Sequence, residues 1–210
     1  TRPFPGIRHF VYEPPDNIDR AIGERCLFDA DTIERGVTDD DIDWLAVHVW
    51  PHAARLMGAF AAGVRTVDPT ARFSTHLSGL AAVRTRFVTE FFASVRANGF
   101  AVDECATSYY PTSAAGQGLD ALQSTIDALG EPLFIAEFAY PAEPMGVGPF
   151  QWNTAVDGYP ISVDGQAAFY RDLCQLDGIS GVRWWAPDFC FSGWRPMAMF
   201  DGDGEPRPVL

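Results

Sequence analysis

The sequence predicts an α/β fold of the (β/α)8-barrel type, with about half of the barrel present in the chain. Four strand-like segments alternate with helix-like segments, which is typical of βαβ units and a parallel sheet. No GxGxxG motif occurs, which disfavours a doubly wound dinucleotide-binding sheet. Polar and aromatic residues cluster at the carboxyl ends of all four strands, where a barrel carries its active face. Since a complete barrel has about 250 residues, we expect the missing half before Thr1.

The first elements are predicted from local signals. Residues 1–37 are rich in proline and are expected to be irregular. Thr38 is a suitable N-cap for a helix, and the three aspartates that follow it place negative charge in the first turn. Apolar residues at helical spacing extend this helix to Val64, with a break expected at Pro51.

The rest of the chain alternates regularly. Glycines 99 and 130 end two of the predicted helices, and Ser162 is a plausible cap for the third. Strands are expected over 72–79, 102–111, 132–138 and 181–189, and helices over 82–99, 119–130 and 162–176. The final segment, 193–210, is predicted to be a loop.

Size and charge limit the class of protein. The chain has 210 residues, of which 47% are hydrophobic, so one globular domain is expected. No apolar run of about 18 residues is present to span a membrane. The net charge is -13, and all 15 basic residues are arginine. This balance disfavours nucleic acid and anionic membranes as partners and suits a neutral ligand. We expect no cofactor.

Glu137 is the sharpest chemical feature. It lies near the end of the apolar segment FIAEFAYP, and a buried carboxylate without partners is costly. The two-residue period of a strand predicts that Leu133, Ile135 and Glu137 share one face. A carboxylate at a barrel mouth is the arrangement that retaining glycosidases use. The structural alternative is an ion pair with an arginine such as Arg183 on the next strand.

Two further strand ends carry candidate polar residues. His76, in STHLSG, could bind the nucleophile or a sugar hydroxyl, although a lone histidine is often structural. SYYP places Ser108, Tyr109 and Tyr110 together, and a tyrosine hydroxyl there can hold a carboxylate nucleophile. At least one of these tyrosines could instead belong to the core.

The tryptophans are candidates for binding a sugar ring. Trp184 and Trp185 are adjacent on the last predicted strand, so one should face the barrel mouth and the other the helices. We predict substrate contacts for Trp185, for the loop residues Trp152 and Trp194, and for Asp188 and Ser108. Either loop tryptophan could equally pack under its own loop.

Cysteines and acidic clusters do not predict a metal site. Cys26, Cys105, Cys174 and Cys190 form no CxxC, and packed thiols are favoured over a full set of disulfides. Cysteine usage therefore does not determine the compartment. The DGDG segment near Asp201 lacks the ligand spacing of an EF-hand, and a turn explains it. We expect no bound metal.

Five segments taken in order resemble the second half of the glycoside hydrolase family 53 barrel, the endo-β-1,4-galactanases. They are STHLSG, DECATSYYPTS, FIAEFAYP, SVDGQAAFYRDL and WWAPDF…GWRPMAMFDGDGEPRP, and the resemblance spans roughly residues 40–210. It implies a retaining hydrolase of clan A, with strands five to eight in residues 38–210. Glu137 would be the nucleophile, supported by His76 and by Tyr109 or Tyr110, with Trp185 under the sugar. Galactan-type pectic side chains would be the substrate.

Two departures from the family pattern matter. The family's acid/base glutamate follows an asparagine at the end of strand four, but the chain contains no Asn-Glu pair. We therefore expect the acid/base before Thr1, with residues 1–37 as an enlarged loop after strand four. Ala186 replaces an acidic residue of the strand-eight motif. Both departures argue against galactan as the substrate more than they argue against glycoside hydrolysis as the reaction.

The expected function is retaining hydrolysis of a β-linked hexose polysaccharide by two carboxylates. We favour a secreted protein over a cytoplasmic one, and expect residues 1–210 alone to be inactive and poorly soluble. Two alternatives stay open. One is a non-catalytic barrel in which Glu137 only hydrogen-bonds sugar, and the other is a clan A glycosidase acting on mannan, glucan or arabinose-containing chains.

Overall fold

A computed structural model describes residues 38–77, 83–113, 117–146, 152–188 and 193–209. The predicted loop over 1–37 lies outside these residues. The described residues belong to two compact units. The first contains residues 38–77 and 86–105, and the second contains residues 83–85 and the described residues from 106 onward.

The first unit begins with two consecutive helices, α1 (Asp39–His48) and α2 (Trp50–Arg65). Thr38 caps α1 as predicted: its hydroxyl accepts a hydrogen bond from the Asp41 N–H, and its own N–H donates to the Asp41 carboxylate. The break expected at Pro51 falls at Val49 instead. Proline is tolerated in the first turn of α2, because N–H groups there have no intrahelical partner.

The rest of this unit consists of strand β1 (Ser74–Leu77), nearly all of helix α3 (Thr85–Ala97) and the start of strand β2 (Glu104–Tyr109). Trp50 is fully buried and packs edge-on against Phe87 and Phe91 of α3. On the surface, Arg86 binds the carboxylates of Asp39, Asp43 and Glu90. These contacts attach α3 to α1.

The second unit contains the remainder of β2, helix α4 (Leu119–Leu129), strand β3 (Leu133–Phe138), helix α5 (Val163–Leu173) and strand β4 (Ile179–Trp184). Gly130 ends α4 in the left-handed conformation at a φ of 71°, and the Ser162 hydroxyl caps α5, both as predicted. The segment after β4 is irregular apart from a short 3-10 turn over Arg195–Met197.

The four strands form one sheet in the order β1-β2-β3-β4, and β3 pairs with β4 in parallel. A helix connects each strand to the next. The alternation predicted from the sequence is therefore present. Strand β4 is shorter than the predicted segment 181–189, because Ala186 has a φ of 48° and cannot continue an extended strand. Trp185 and Asp188 thus follow the strand.

The core of the second unit is aromatic. Phe138 of β3 stacks on Phe169 and Tyr170 of α5 and meets Trp184 edge-on. Phe169 also stacks on Tyr140, at a centroid distance of 4.7 Å. These contacts place Phe138 on the helix-facing side of the sheet.

Cys105 is buried, as expected of a packed thiol, whereas Cys174 is exposed, contrary to that expectation. Cys26 and Cys190 lie outside the described residues. Among the helices that the structure describes, none combines the length and apolar character needed to cross a membrane.

Candidate active site

The register between β3 and β4 shifts at the segment that contains Glu137. Ile135 pairs with Val182 and Phe138 pairs with Trp184, so β3 advances three residues where β4 advances two. Such a bulge reverses the side-chain alternation and often lies beside active sites. Leu133, Ile135 and Phe138 are fully buried, whereas Glu137 is partly exposed.

Glu137 therefore does not share the full burial of Leu133 and Ile135, with which the strand period grouped it. Phe138 packs on helix α5, whereas the Glu137 carboxylate contacts the Tyr110 hydroxyl, so these two adjacent side chains have different surroundings. The guanidinium of Arg183, the proposed structural partner, lies 5.6 Å from the centre of the Phe134 ring. Arg183 thus has an aromatic contact of its own.

Tyr110 is the tyrosine that contacts Glu137. Its hydroxyl donates a hydrogen bond of 3.0 Å to Glu137 Oε2, and its side chain is 7% exposed. Burial raises the pKa of the Tyr110 phenol far above its ordinary value, and the charge of Glu137 and the hydrogen bond to it act in the same direction. Tyr110 therefore keeps its proton at neutral pH and can donate this hydrogen bond.

Tyr109 has a structural role instead. It is 0% exposed, packs against Phe138 and Phe169, and donates its hydroxyl to the Gln117 carbonyl at 2.5 Å. Burial also raises the pKa of Tyr109. Ser108 is 2% exposed. The predictions of a catalytic role for Tyr109 and of a substrate contact for Ser108 are thus not supported, because neither side chain reaches an accessible surface.

The aromatic residues around Tyr110 form a wall beside the carboxylate. Trp152 lies 5.0 Å from the Tyr110 ring, measured between centroids, and Trp194 lies 6.1 Å from both rings in edge-on contact. Ala139, Met145 and Met197 complete the buried part of this cluster. Trp152 is partly exposed and can still meet a ligand.

The tryptophans at the end of β4 and in the segment after it differ in exposure. Trp185 is 47% exposed, and its backbone N–H donates to the Phe138 carbonyl, next to Glu137. Trp184 packs towards α5 at Tyr170. Trp184 also packs against the cluster around Tyr110 and donates its indole N–H to the Met197 carbonyl, so the predicted division of the pair between the two faces stays a prediction. Trp194 is 8% exposed and donates its indole N–H to the Trp185 carbonyl. It packs under its own loop, so the predicted direct contact of Trp194 with substrate is not supported.

His76 and Asp188 are the two remaining predicted site residues. His76 is a partly exposed residue of β1, in the first unit, and its predicted support of Glu137 stays a prediction. Asp188 is exposed just after Trp185, where it can contact a ligand.

The Asp201 carboxylate accepts the backbone N–H groups of Asp203 and Glu205, so DGDG forms a turn. These bonds hold the pKa of Asp201 below its usual value.

The sequence reasoning missed Gln166 and the conformation of Ala186. Gln166 is a fully buried polar residue of α5 that lies on the same face as Phe169 and Leu173. A polar residue within this apolar stripe was a signal of a buried hydrogen-bonding role. Ala186 is left-handed directly after Trp185 and packs against the aromatic cluster. No residue type at 186 signals that conformation, since alanine rarely adopts it.

Comparison with known sequences identifies proteins that are related to this chain. The chain is 28% identical, over 183 residues, to an uncharacterized protein from the bgaB 5' region of Niallia circulans, covering 74% of this chain and 48% of that protein. It is also 28% identical to a probable arabinogalactan endo-beta-1,4-galactanase A of Aspergillus terreus, covering 68% of this chain and 44% of that protein. The chain therefore spans about half the length of these relatives.

Solved structures share the fold. A glycoside hydrolase family 53 catalytic domain from Ignisphaera aggregans superposes with a TM-score of 0.63 at 24% identity, covering 76% of this chain and 51% of that one. A fungal beta-1,4-galactanase gives a TM-score of 0.60 at 20% identity, with coverages of 77% and 53%. The described residues thus have the α/β architecture of part of a (β/α)8 barrel, as predicted.

The family assignment rests on most of the chain. The sequence profile of glycosyl hydrolase family 53 matches residues 33–206, which include all four strands and the Tyr110–Glu137 pair. The chain therefore belongs to glycosyl hydrolase family 53.

Proposed function

We propose that the whole protein hydrolyses a β-linked hexose polysaccharide with retention, and that its substrate is β-1,4-galactan or arabinogalactan. The observation that carries this proposal is the hydrogen bond from Tyr110 to Glu137 at the carboxyl end of β3. Carboxyl ends of barrel strands are where barrel enzymes place catalytic groups. The printed name of the Aspergillus terreus relative supports galactan as the substrate class.

In the proposed mechanism, Glu137 is the nucleophile. Its carboxylate attacks the anomeric carbon while a second carboxyl group, about 5 to 5.5 Å away in retaining enzymes, protonates the leaving oxygen. The resulting glycosyl ester is hydrolysed by water, which the second carboxylate deprotonates. We assign no residue of this chain to that second role, and therefore expect residues 1–210 alone to be inactive.

Tyr110 would orient the nucleophile. A hydrogen bond to Oε2 restrains rotation of the carboxylate and stabilises its ionised form, which is the form that attacks. The raised pKa of Tyr110 keeps the proton on the phenol, so this donor is present whenever the enzyme works. Packing against Trp152 and Trp194 holds the Tyr110 ring in place.

The ligand would lie over the exposed aromatic surface near this pair. Trp185 offers the largest accessible indole face among the described tryptophans, and Trp152 flanks Tyr110. We propose substrate contacts for these two residues and for Asp188, and we keep His76 as a further support of the nucleophile. Since a polysaccharide does not cross a membrane, we also propose that the protein is secreted, which fractionation of the source culture tests.

The function is tested on the full-length protein with galactan, arabinogalactan, mannan and glucan. We expect reducing-sugar release from galactan or arabinogalactan, with the β-anomer as the first product by NMR. E137Q should abolish turnover while the circular dichroism spectrum is unchanged. Unaltered turnover by E137Q would remove Glu137 from the mechanism.

Binding separates the enzyme from the non-catalytic alternative. If the wild-type protein binds galactan tightly but releases no sugar, the barrel is a carbohydrate-binding protein. Release from mannan or glucan alone would keep the glycosidase and change its specificity.

A further inference from the structure

We propose that Gln166 is a positioning residue for the site around Glu137, acting together with Arg207. The two side chains form what we call the clamp: they donate hydrogen bonds to the backbone carbonyls of Tyr140, Pro196 and Ala198. This inference rests on the proposed function. No residue of the clamp is expected to touch substrate.

Gln166 connects the segment that follows β3 with the turn that ends at Ala198. Its side-chain N–H groups donate to the Tyr140 carbonyl at 2.7 Å and to the Ala198 carbonyl at 3.3 Å. Tyr140 follows Glu137 by three residues at the exit of β3, and Ala198 closes the turn that begins at Trp194. One fully buried amide therefore fixes the nucleophile's strand relative to the aromatic wall.

Arg207 makes a second connection between the segment after β3 and the turn that contains Pro196 and Ala198. Its guanidinium donates to the Pro196 carbonyl at 3.0 Å and to the Ala198 carbonyl at 3.3 Å, and it pairs with Glu143 at 3.5 Å. Glu143 lies on the same strand exit as Tyr140. The Ala142 N–H also donates directly to the Pro196 carbonyl, at 2.8 Å. The Ala198 carbonyl therefore accepts from both members of the clamp.

Packing alone does not explain Gln166. Its side-chain oxygen is buried without a hydrogen-bond partner among the described residues, which is costly. An apolar side chain of similar size would fill the space without that cost. We therefore infer that position 166 requires the two N–H donors of the glutamine amide.

The clamp reaches Glu137 through a continuous series of contacts. The turn that holds Pro196 and Ala198 carries Trp194, which packs edge-on against Tyr110. Tyr110 in turn holds Glu137 Oε2. A shift of that turn by a fraction of an ångström moves the hydroxyl relative to the carboxylate, and misplacement of about 1 Å can reduce a rate by about 100-fold.

The test compares Q166M with T125V in the full-length protein. Both replace a fully buried polar side chain by an apolar one of similar shape, but within the described residues the Thr125 hydroxyl bonds Thr85 and the Ala121 carbonyl, neither of which belongs to the clamp. We expect Q166M to lower kcat by about 10-fold to 100-fold with KM changed by less than about threefold. We expect T125V to lower the melting temperature without changing kcat. Equal kcat in Q166M and wild type would overturn the proposal.

A spectroscopic measurement keeps this result separate from the identity of the substrate. We expect both Q166M and the reference variant W194F to lose near-ultraviolet circular dichroism intensity from the tryptophans of the wall, and T125V to retain it. This readout requires no activity, so it tests the clamp even if E137Q proves fully active and the proposed mechanism fails. A wild-type spectrum for Q166M would contradict the clamp.

A double-variant cycle with R207M tests whether the two residues act as a unit. Because both donate to the Ala198 carbonyl, the double variant Q166M/R207M should lose less in kcat than the product of the two single losses. Strictly multiplicative losses would show two independent sites and would contradict the clamp.

Discussion

The Tyr110 hydroxyl lies 3.0 Å from Glu137 Oε2, although the two residues are 27 positions apart in the chain. Tyr110 comes directly after β2 and Glu137 lies near the end of β3, and these strands are neighbours in the sheet. Parallel neighbours bring their carboxyl ends to one edge, so residues distant in sequence become partners there.

Removing the Tyr110 hydroxyl should impair catalysis and leave the fold intact. A hydrogen bond to a charged acceptor contributes about 1.5 to 3 kcal/mol, so Y110F should lower kcat by about 10-fold to 100-fold in the full-length protein. Steady-state kinetics on galactan provides the measurement.

Y109F is the matched control for Y110F. It loses a buried hydrogen bond to the Gln117 carbonyl, so we expect about 1 kcal/mol less stability and an unchanged kcat. If Y109F reduces kcat as much as Y110F, the assignment of the two tyrosines is reversed.

The two tryptophans at 185 and 194 should respond in opposite ways to replacement by alanine. Trp185 is 47% exposed, so W185A should weaken binding of a galactan oligosaccharide by about fivefold, or about 1 kcal/mol, with little change in stability. Trp194 is buried, so W194A should cost about 3 to 5 kcal/mol of unfolding free energy. Isothermal titration and urea unfolding measure the two effects. Unchanged affinity in W185A would remove this residue from the binding surface.

Two glycines of helix α2 should give changes of opposite sign. A Cβ at Gly58 would overlap the carbonyl oxygen of Gly99, so G58A should destabilise the protein by about 1 to 3 kcal/mol. A Cβ at Gly63 meets no neighbouring atom within 4 Å, and G63A should stabilise the helix by about 0.5 to 1 kcal/mol. Thermal unfolding of both variants provides the comparison, and a stabilised G58A would contradict the close approach of the two backbone segments.

Stability should fall at alkaline pH. Burial raises the pKa of Tyr109 and Tyr110 above the ordinary value of about 10. Above about pH 10 the unfolded chain therefore loses phenolic protons that the folded chain keeps, and the unfolding free energy decreases as pH rises. Below about pH 10 both states keep these protons, and this contribution to stability is fully present.

Urea unfolding between about pH 8 and pH 11.5 measures this dependence. The double variant Y109F/Y110F should show a shallower decrease than wild type. Some decrease should remain, because burial also raises the pKa of Tyr140 and Tyr170. An identical slope in the double variant would show that the two tyrosines do not contribute.

Local sequence signals were sufficient for most of the secondary structure. The Thr38 and Ser162 caps and the glycine at 130 act on backbone groups within about four residues, so they can be recognised without a tertiary structure. The order of strands and helices, and the position of Glu137 near a strand end, follow from hydrophobic patterns of the same range. These features led to the α/β class, and the order of motifs led to the family.

Only the tertiary structure decided which side chains meet. The bulge beside Glu137 depends on the register between β3 and β4, and register is a property of two strands together. The choice of Tyr110 over Tyr109, the burial of Trp194 and the two bonds of Gln166 likewise depend on contacts between segments far apart in the chain. The sequence alone thus determined the order of the elements, since short-range backbone preferences encode it. Packing decided the geometry of the site, because that geometry exists only once distant segments are in contact.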